Sequence, residues 1–206
     1  MATPKSQRIG IWVIAVVMLV GTIGSFAVMV LASDNDRKDQ AEQQKLIEEY
    51  QKQTEEAQKE EQEKADKLSV THYPIFKGYE SSPKQFDPKK VGDDVSKKDL
   101  KIGAGTELRK GDNYQVYYIG WNPDGKVFDS SFDGASLKYP LDTTDPAIGG
   151  PTGLVEGWQE GVIGMKVGGV REITIPSELG YKDQDRGELL PPNTPMKFVM
   201  YLIEIK

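Results

Sequence analysis

The two side chains most often used as nucleophile and base near neutral pH, cysteine and histidine, are almost missing from this 206-residue chain. Cysteine is absent and histidine occurs once, as His72. Thiol nucleophiles, thiolate metal sites and multi-histidine metal sites are thereby excluded, and a serine–histidine pair would have to use His72. His72 lies in a polar stretch outside the globular block, and a plain surface role is expected for it. Glu156 and Glu160 stand i,i+4 on a short helical pattern, where two carboxylates could serve a hydrolase; a solvated helix face is the commoner meaning of that spacing. Gly103-Ala104-Gly105 begins like a dinucleotide loop, but Leu108 stands where the third glycine belongs, so it reads as a turn. No cofactor and no metal is expected. The formal charge of −6 argues against nucleic acid as a partner, because phosphate binding needs a basic surface.

What remains is a set of aromatic residues, with one aspartate beside them. Trp158 sits in Gly157-Trp158-Gln159-Glu160-Gly161, an unusually glycine-rich setting for a core tryptophan. Asp129 directly follows Phe128 on the strand that leaves an Asp124-Gly125 turn. Singly, Phe128 and Phe198 would be read as ordinary core residues.

The elements that must hold these residues read as strands around one helix. Asn122-Pro123-Asp124-Gly125 is a hairpin signal, since Asp-Gly tolerates the positive φ of a tight turn. It separates Tyr114-Gln115-Val116-Tyr117-Tyr118-Ile119-Gly120 from Lys126-Val127-Phe128-Asp129. Alternation continues in residues 170–175 and 196–205, with Gly- and Pro-rich turns between, which argues an antiparallel sheet. Val155, Trp158 and Val162 fall on one helical face at i, i+3 and i+7. The glycines make this a poor isolated helix, so packing must hold it. The class is α+β, an antiparallel sheet wrapped around one short helix.

Taken in order, these segments resemble one family. Tyr118-Ile119-Gly120, Asp124-Gly125-Lys126-Val127-Phe128-Asp129-Ser130-Ser131 and Val155-Glu156-Gly157-Trp158-Gln159-Glu160-Gly161 are similar to the FKBP-type peptidyl-prolyl cis-trans isomerases. So are Gly164-Met165-Lys166-Val167-Gly168-Gly169, Ile175-Pro176, Leu179-Gly180-Tyr181 and Leu190-Pro191-Pro192-Asn193. The resemblance covers residues 96–206 and points to a membrane-anchored, bacterial-like form. It implies that Trp158 floors a pocket under the substrate proline and that Phe128 and Phe198 wall it. Asp129 would be a buried carboxylate oriented by hydroxyls, and Tyr181 would donate to a substrate carbonyl. Tyr118, Leu137, Leu154, Val155, Leu189 and Leu190 would touch the substrate. Proline-containing polypeptides are the implied clients, and macrolides such as rapamycin the implied inhibitors. A non-catalytic module holding proline segments on the same fold is the alternative.

Such a pocket needs no nucleophile. Amide resonance sets a barrier of about 18–20 kcal/mol to rotation of an Xaa-Pro bond. The planar amide is strongly dipolar and the twisted one has lost that conjugation, so an apolar, water-poor pocket penalises the ground state more than the transition state. Each ~1.36 kcal/mol of that difference accelerates rotation tenfold.

Four departures from the family pattern stand out. Lys182 follows Tyr181 where glycine is usual, and residues 182–188 are strongly charged. Gly134 stands where an arginine can accompany the aspartate. Residues 142–153 form a longer connection than in the minimal domain, either gating the pocket or serving as a neutral surface insertion.

The N-terminal half reads differently. After a short tail, residues 1–8, comes an uncharged apolar run, residues 9–32. As a helix it would extend roughly 36 Å, enough to cross a bilayer core. It exceeds the ~7–15-residue core of a secretory leader, so an uncleaved single-pass anchor is expected, with a leader cleaved after Val30-Leu31-Ala32 as the alternative. Lys5 and Arg8 precede the run while Arg37 and Lys38 follow it, so orientation rests on the short tail, which places the isomerase domain outside the cytoplasm. Residues 33–68 form a charged stalk in which Glu48–Lys52, Glu55–Lys59, Glu60–Lys64 and Glu63–Lys67 are i,i+4 pairs worth roughly 0.2–0.5 kcal/mol each. A helical spacer is expected, with a disordered linker or weak pairing through Leu46–Tyr50 as alternatives. Residues 69–95 read as a linker.

Overall fold

The computed structural model describes residues 37–206, so the expected anchor at 9–32 lies outside the described residues. Among the described residues no helix is long and apolar enough to cross a membrane. The chain divides into two compact units, with the boundary after Ala57, inside helix α1 (Arg37–Phe76). In the first unit, side chains from residue 44 to 57 are exposed except for a half-buried Thr54, whose hydroxyl donates to the Tyr50 carbonyl at 2.7 Å. Leu46, Ile47 and Tyr50 are among the exposed residues.

The remainder of α1 belongs to the second unit. Of the expected ion pairs Glu60–Lys64 closes at 2.8 Å, whereas Lys52 reaches forward to Glu56 at 4.0 Å. The helix does not stop at residue 68. It runs on to Phe76, eight residues into the stretch expected to be a linker. The reason is a stripe of small and aromatic residues, Ala65, Ser69, His72, Tyr73 and Phe76, spaced to share one helical face. Ala65, Ser69 and Phe76 are buried and His72 and Tyr73 half-buried, with Phe76 and Tyr73 in the core on one face of the sheet. His72 is therefore not the free surface residue expected. Its Nδ1 shares a 3.1 Å hydrogen bond with the Tyr201 hydroxyl, and its ring lies 5.8 Å from that of Tyr117.

The sheet is antiparallel throughout. Its strands are β1 (Ser96–Lys101), β2 (Tyr114–Trp121), β3 (Val127–Ser130), β6 (Leu141–Asp142), β7 (Val170–Ile175) and β8 (Met196–Ile205), ordered β1-β7-β8-β2-β3 with β6 also on β2. A separate two-stranded hairpin joins β4 (Phe132–Asp133) to β5 (Ser136–Leu137). Gly125 turns the β2–β3 hairpin at φ +77°, with its N–H on the Asn122 carbonyl at 2.9 Å.

Two cores lie on the two faces of this sheet. Helix α2 (Glu156–Val162) packs on the concave face with Tyr114, Val116, Ile173, Ile175, Met200 and Leu202. The α1 residue Phe76 packs on the other with Tyr117, Ile119, Trp121, Val199 and Tyr201. Because both faces are covered, β2 is apolar at nearly every position instead of alternating with polar residues. Glycine in α2 is explained by close approach. A Cβ on Gly157 would stand 2.4 Å from Ile175 Cγ2, and one on Gly161 2.7 Å from Ile173 Cδ1. Arg171 then secures the helix end: its buried guanidinium donates to the Gly161 and Ile163 carbonyls and pairs with Asp99 at 2.6 Å.

Candidate functional site

An open cleft of about 790 Å³ lies between α2, the concave sheet face and the loops 148–154 and 181–190. Trp158 lies beneath it, 4% exposed, with its Nε1–H donating to the Tyr114 hydroxyl at 3.1 Å. The Phe198 ring meets the indole edge-on at 4.9 Å, and Tyr118 does so at 5.1 Å. Phe128 stands edge-on to Phe198 at 5.4 Å. These edge-to-face contacts are the favoured geometry for aromatic quadrupoles, so the walls hold their own orientation. Gly120 makes room for them: a Cβ there would fall 2.4 Å from Phe198 Cε1 and 2.9 Å from Phe128 Cζ.

One polar pair lies at the rim. The Tyr118 hydroxyl donates to Asp129 Oδ2 at 2.5 Å, and the Ser130 N–H donates to Oδ1 at 2.7 Å. Burial, reinforced by the neighbouring Asp129 carboxylate, holds the Tyr118 phenol far above its ordinary pKa, so it stays protonated and donates. Asp129 is exposed, which corrects the expectation of a buried carboxylate; orientation by a hydroxyl does hold. The carboxylate lies on the four-residue strand β3 and lines the opening.

Most of the residues expected at the site converge on it. Tyr118, Phe128, Asp129, Leu154, Val155, Trp158, Tyr181, Leu189, Leu190 and Phe198 all line the cleft. Val155 precedes the first turn of α2, and Gln159 Nε2 fastens the Leu154 carbonyl at 2.6 Å. The Asn122 side chain donates to the Leu189 carbonyl at 2.9 Å, tying the β2–β3 turn to the cleft wall. Tyr181 carries the Arg186 guanidinium over its ring at 4.5 Å. Leu137 does not take part. It is buried on the opposite sheet face beside Phe76, with its N–H on Ser69 Oγ at 2.8 Å. Glu156 and Glu160 are exposed and do not line the cleft, so they form no paired acid site there.

Five lining residues were not singled out from sequence. Ile148 and Gly153 come from the long 142–153 connection, and Arg186 and Glu188 from the charged 182–188 stretch; both stretches stand out as departures in the sequence. Leu141 lies on a two-residue strand, too short to show any period.

An antiparallel sheet packed on one short helix, with an aromatic cleft that carries a hydroxyl–carboxylate pair at its rim, offers an apolar seat for a peptide segment. The FKBP-type peptidyl-prolyl cis-trans isomerase model matches residues 105–203. An FK506-binding protein of Neisseria meningitidis serogroup A is 40% identical over 107 residues, covering 52% of this chain and 92% of that protein. A probable FK506-binding protein of Corynebacterium glutamicum is 39% identical over 113 residues, covering 54% of this chain and 86% of its own. A crystal structure of a peptidyl-prolyl cis-trans isomerase from Pseudomonas syringae pv. tomato aligns at TM-score 0.45 and 25% identity, over 70% of this chain and 95% of that one. The chain belongs to the FKBP-type peptidyl-prolyl cis-trans isomerases and is an isomerase of Xaa-Pro bonds.

Proposed function

We propose that this isomerase is tethered to the cell membrane through residues 9–32 and assists folding of proline-containing clients outside the cytoplasm. The uncharged apolar run ahead of a charged helix supports the tether. In the cleft, the proline ring lies on Trp158 between Phe128 and Phe198, with Tyr118, Leu154, Val155, Leu189 and Leu190 around the flanking chain. Tyr181 donates to a substrate carbonyl, and Asp129 acts beside the twisting imide. The single observation that carries this reading is the edge-to-face set of Tyr118, Trp158 and Phe198 under an open cleft. It leaves the imide in apolar surroundings, where loss of conjugation costs less than in water. A macrolide such as rapamycin occupies the same cleft and competes with substrate.

Line-shape NMR on an Xaa-Pro peptide tests the proposal. The protein should speed cis–trans exchange, and rapamycin should abolish the effect. Asp129→Val is the informative variant, since an exposed residue can be changed without disturbing the core; turnover should fall by about tenfold, roughly 1.4 kcal/mol. Unchanged exchange with the folded protein would leave only a proline-binding module. Separately, deletion of residues 9–32 should move the protein from the membrane pellet to the soluble fraction.

A further inference from the structure

We infer that the last turns of α1 are a positioning element of the active site: Phe76, through Phe132, holds the Asp129–Tyr118 pair in register. The inference rests on the role proposed above for Asp129.

Asp129 is exposed, so side-chain packing does not fix it; its place comes from the β3 backbone, where it pairs with Gly120 of β2, and from the segment that follows. That backbone is tied to β2 at the buried Ser131, whose N–H donates to the Tyr118 carbonyl at 2.8 Å and whose Oγ accepts from the Tyr118 N–H at 2.9 Å. Ser131 thus links the two residues of the rim pair through main chain. Immediately beyond it begins the β4–β5 hairpin, which makes no ladder with the main sheet. A two-stranded hairpin alone is marginal in water, so whatever it leans on decides where it sits.

It leans on α1. The Phe132 ring stacks on Phe76 at 4.9 Å and 3° from parallel, and Phe76 is fully buried, also stacking on Tyr201 at 5.9 Å and Tyr117 at 6.4 Å. On the other strand of the hairpin, Leu137 donates its N–H to Ser69 Oγ, two turns before Phe76 on the same helical face. Two residues of α1 therefore clamp both strands of the hairpin that leaves the active-site aspartate. The same clamp draws Leu137 to the far face of the sheet, which is why it is absent from the cleft.

A double-mutant cycle on the full chain tests this, with kcat/KM on an Xaa-Pro peptide as readout. Phe76→Ala should lower kcat/KM by about tenfold, the scale of loss for a displaced catalytic group. In an Asp129→Asn background the same change should cost less than about twofold, because there is no carboxylate left to misplace. Should Phe76→Ala unfold the head by circular dichroism, Ser69→Ala carries the same cycle with a smaller loss. Equal losses in both backgrounds, or a folded Phe76→Ala protein of full activity, would overturn the inference. An inactive parent protein would sink the isomerase reading instead, and an Asp129→Asn protein of full activity would sink the role given to Asp129.

Discussion

The Trp158 indole nitrogen donates to the hydroxyl of Tyr114, a 1% exposed residue of β2, at 3.1 Å. The one polar atom of the cleft floor is thereby satisfied within the core, and the ring is left apolar. Burial pushes the Tyr114 phenol up to about 12, against a smaller opposing pull from Trp158, so this bond does not titrate in the working range. Tyr114→Phe should strand a buried N–H and lower stability by about 1–3 kcal/mol in urea denaturation. An unchanged midpoint would mean that water already reaches the indole edge.

Gly157→Ala sets two effects of opposite sign against each other. Alanine improves helix propensity by up to about 1 kcal/mol. Overpacking against Ile175 at 2.4 Å costs about 1–3 kcal/mol, and Cγ2, fixed on a β-branched carbon, has little room to yield. Net destabilisation is expected. Gly161→Ala should be milder, because its nearest neighbour, Ile173 Cδ1, is a flexible chain end. Thermal unfolding of the two variants gives the order directly.

Lys182 adopts φ +55°, in the left-handed region where a Cβ costs roughly 1–2 kcal/mol. Glycine removes that cost but adds about 0.5–1 kcal/mol of unfolded-state entropy. Lys182→Gly should therefore stabilise the head by about 0.5–1 kcal/mol, read as a raised melting temperature. A lowered one would show that the lysine side chain makes a compensating contact.

A fragment of residues 88–206 contains the whole isomerase match yet lacks the end of α1. It would expose the sheet face that Phe76 covers and free the Trp121 Nε1–H, which donates to the Lys84 carbonyl at 3.0 Å. Losing one buried Phe alone costs about 3–5 kcal/mol. The fragment should be at least that much less stable than residues 58–206, and should bind a hydrophobic dye that the longer one ignores. Matching guanidinium midpoints would refute this.

Acid should weaken the head through Asp142. Burial alone would raise this carboxyl, but donors from Lys206, Thr144 and Gln115 together outweigh it and hold the group well below the usual carboxylate range. A carboxyl lowered in the folded state contributes stability that is complete above its unfolded pKa of about 3.9 and is lost as pH falls through the folded value. Asp142→Asn should flatten that acid limb and cost about 2 kcal/mol at neutral pH. An acid limb unchanged in the variant would assign it to other carboxylates.

Much of the head was legible because its signals are local. The Asn122–Gly125 turn, the period-two strands and the Trp158 helix each declare themselves within a few residues. Ten of the eleven expected cleft residues line the cleft, carried by a resemblance that runs in register through the whole domain. The burial of Asp129 was misjudged because exposure depends on what lies opposite a strand, which its own neighbours do not encode.

Local spacing and residue chemistry in the chain thus determined the sheet and the helix, and the resemblance carried by its motifs pointed to an isomerase without nucleophile. Tertiary structure alone decided which face α1 covers, that Leu137 leaves the cleft for Ser69 and Phe76, and that Leu141, Ile148, Arg186 and Glu188 take places in its wall. Ser69 and Leu137 are 68 positions apart. Their meeting depends on how α1 packs against the β4–β5 hairpin, and periodicity along the chain carries no record of that.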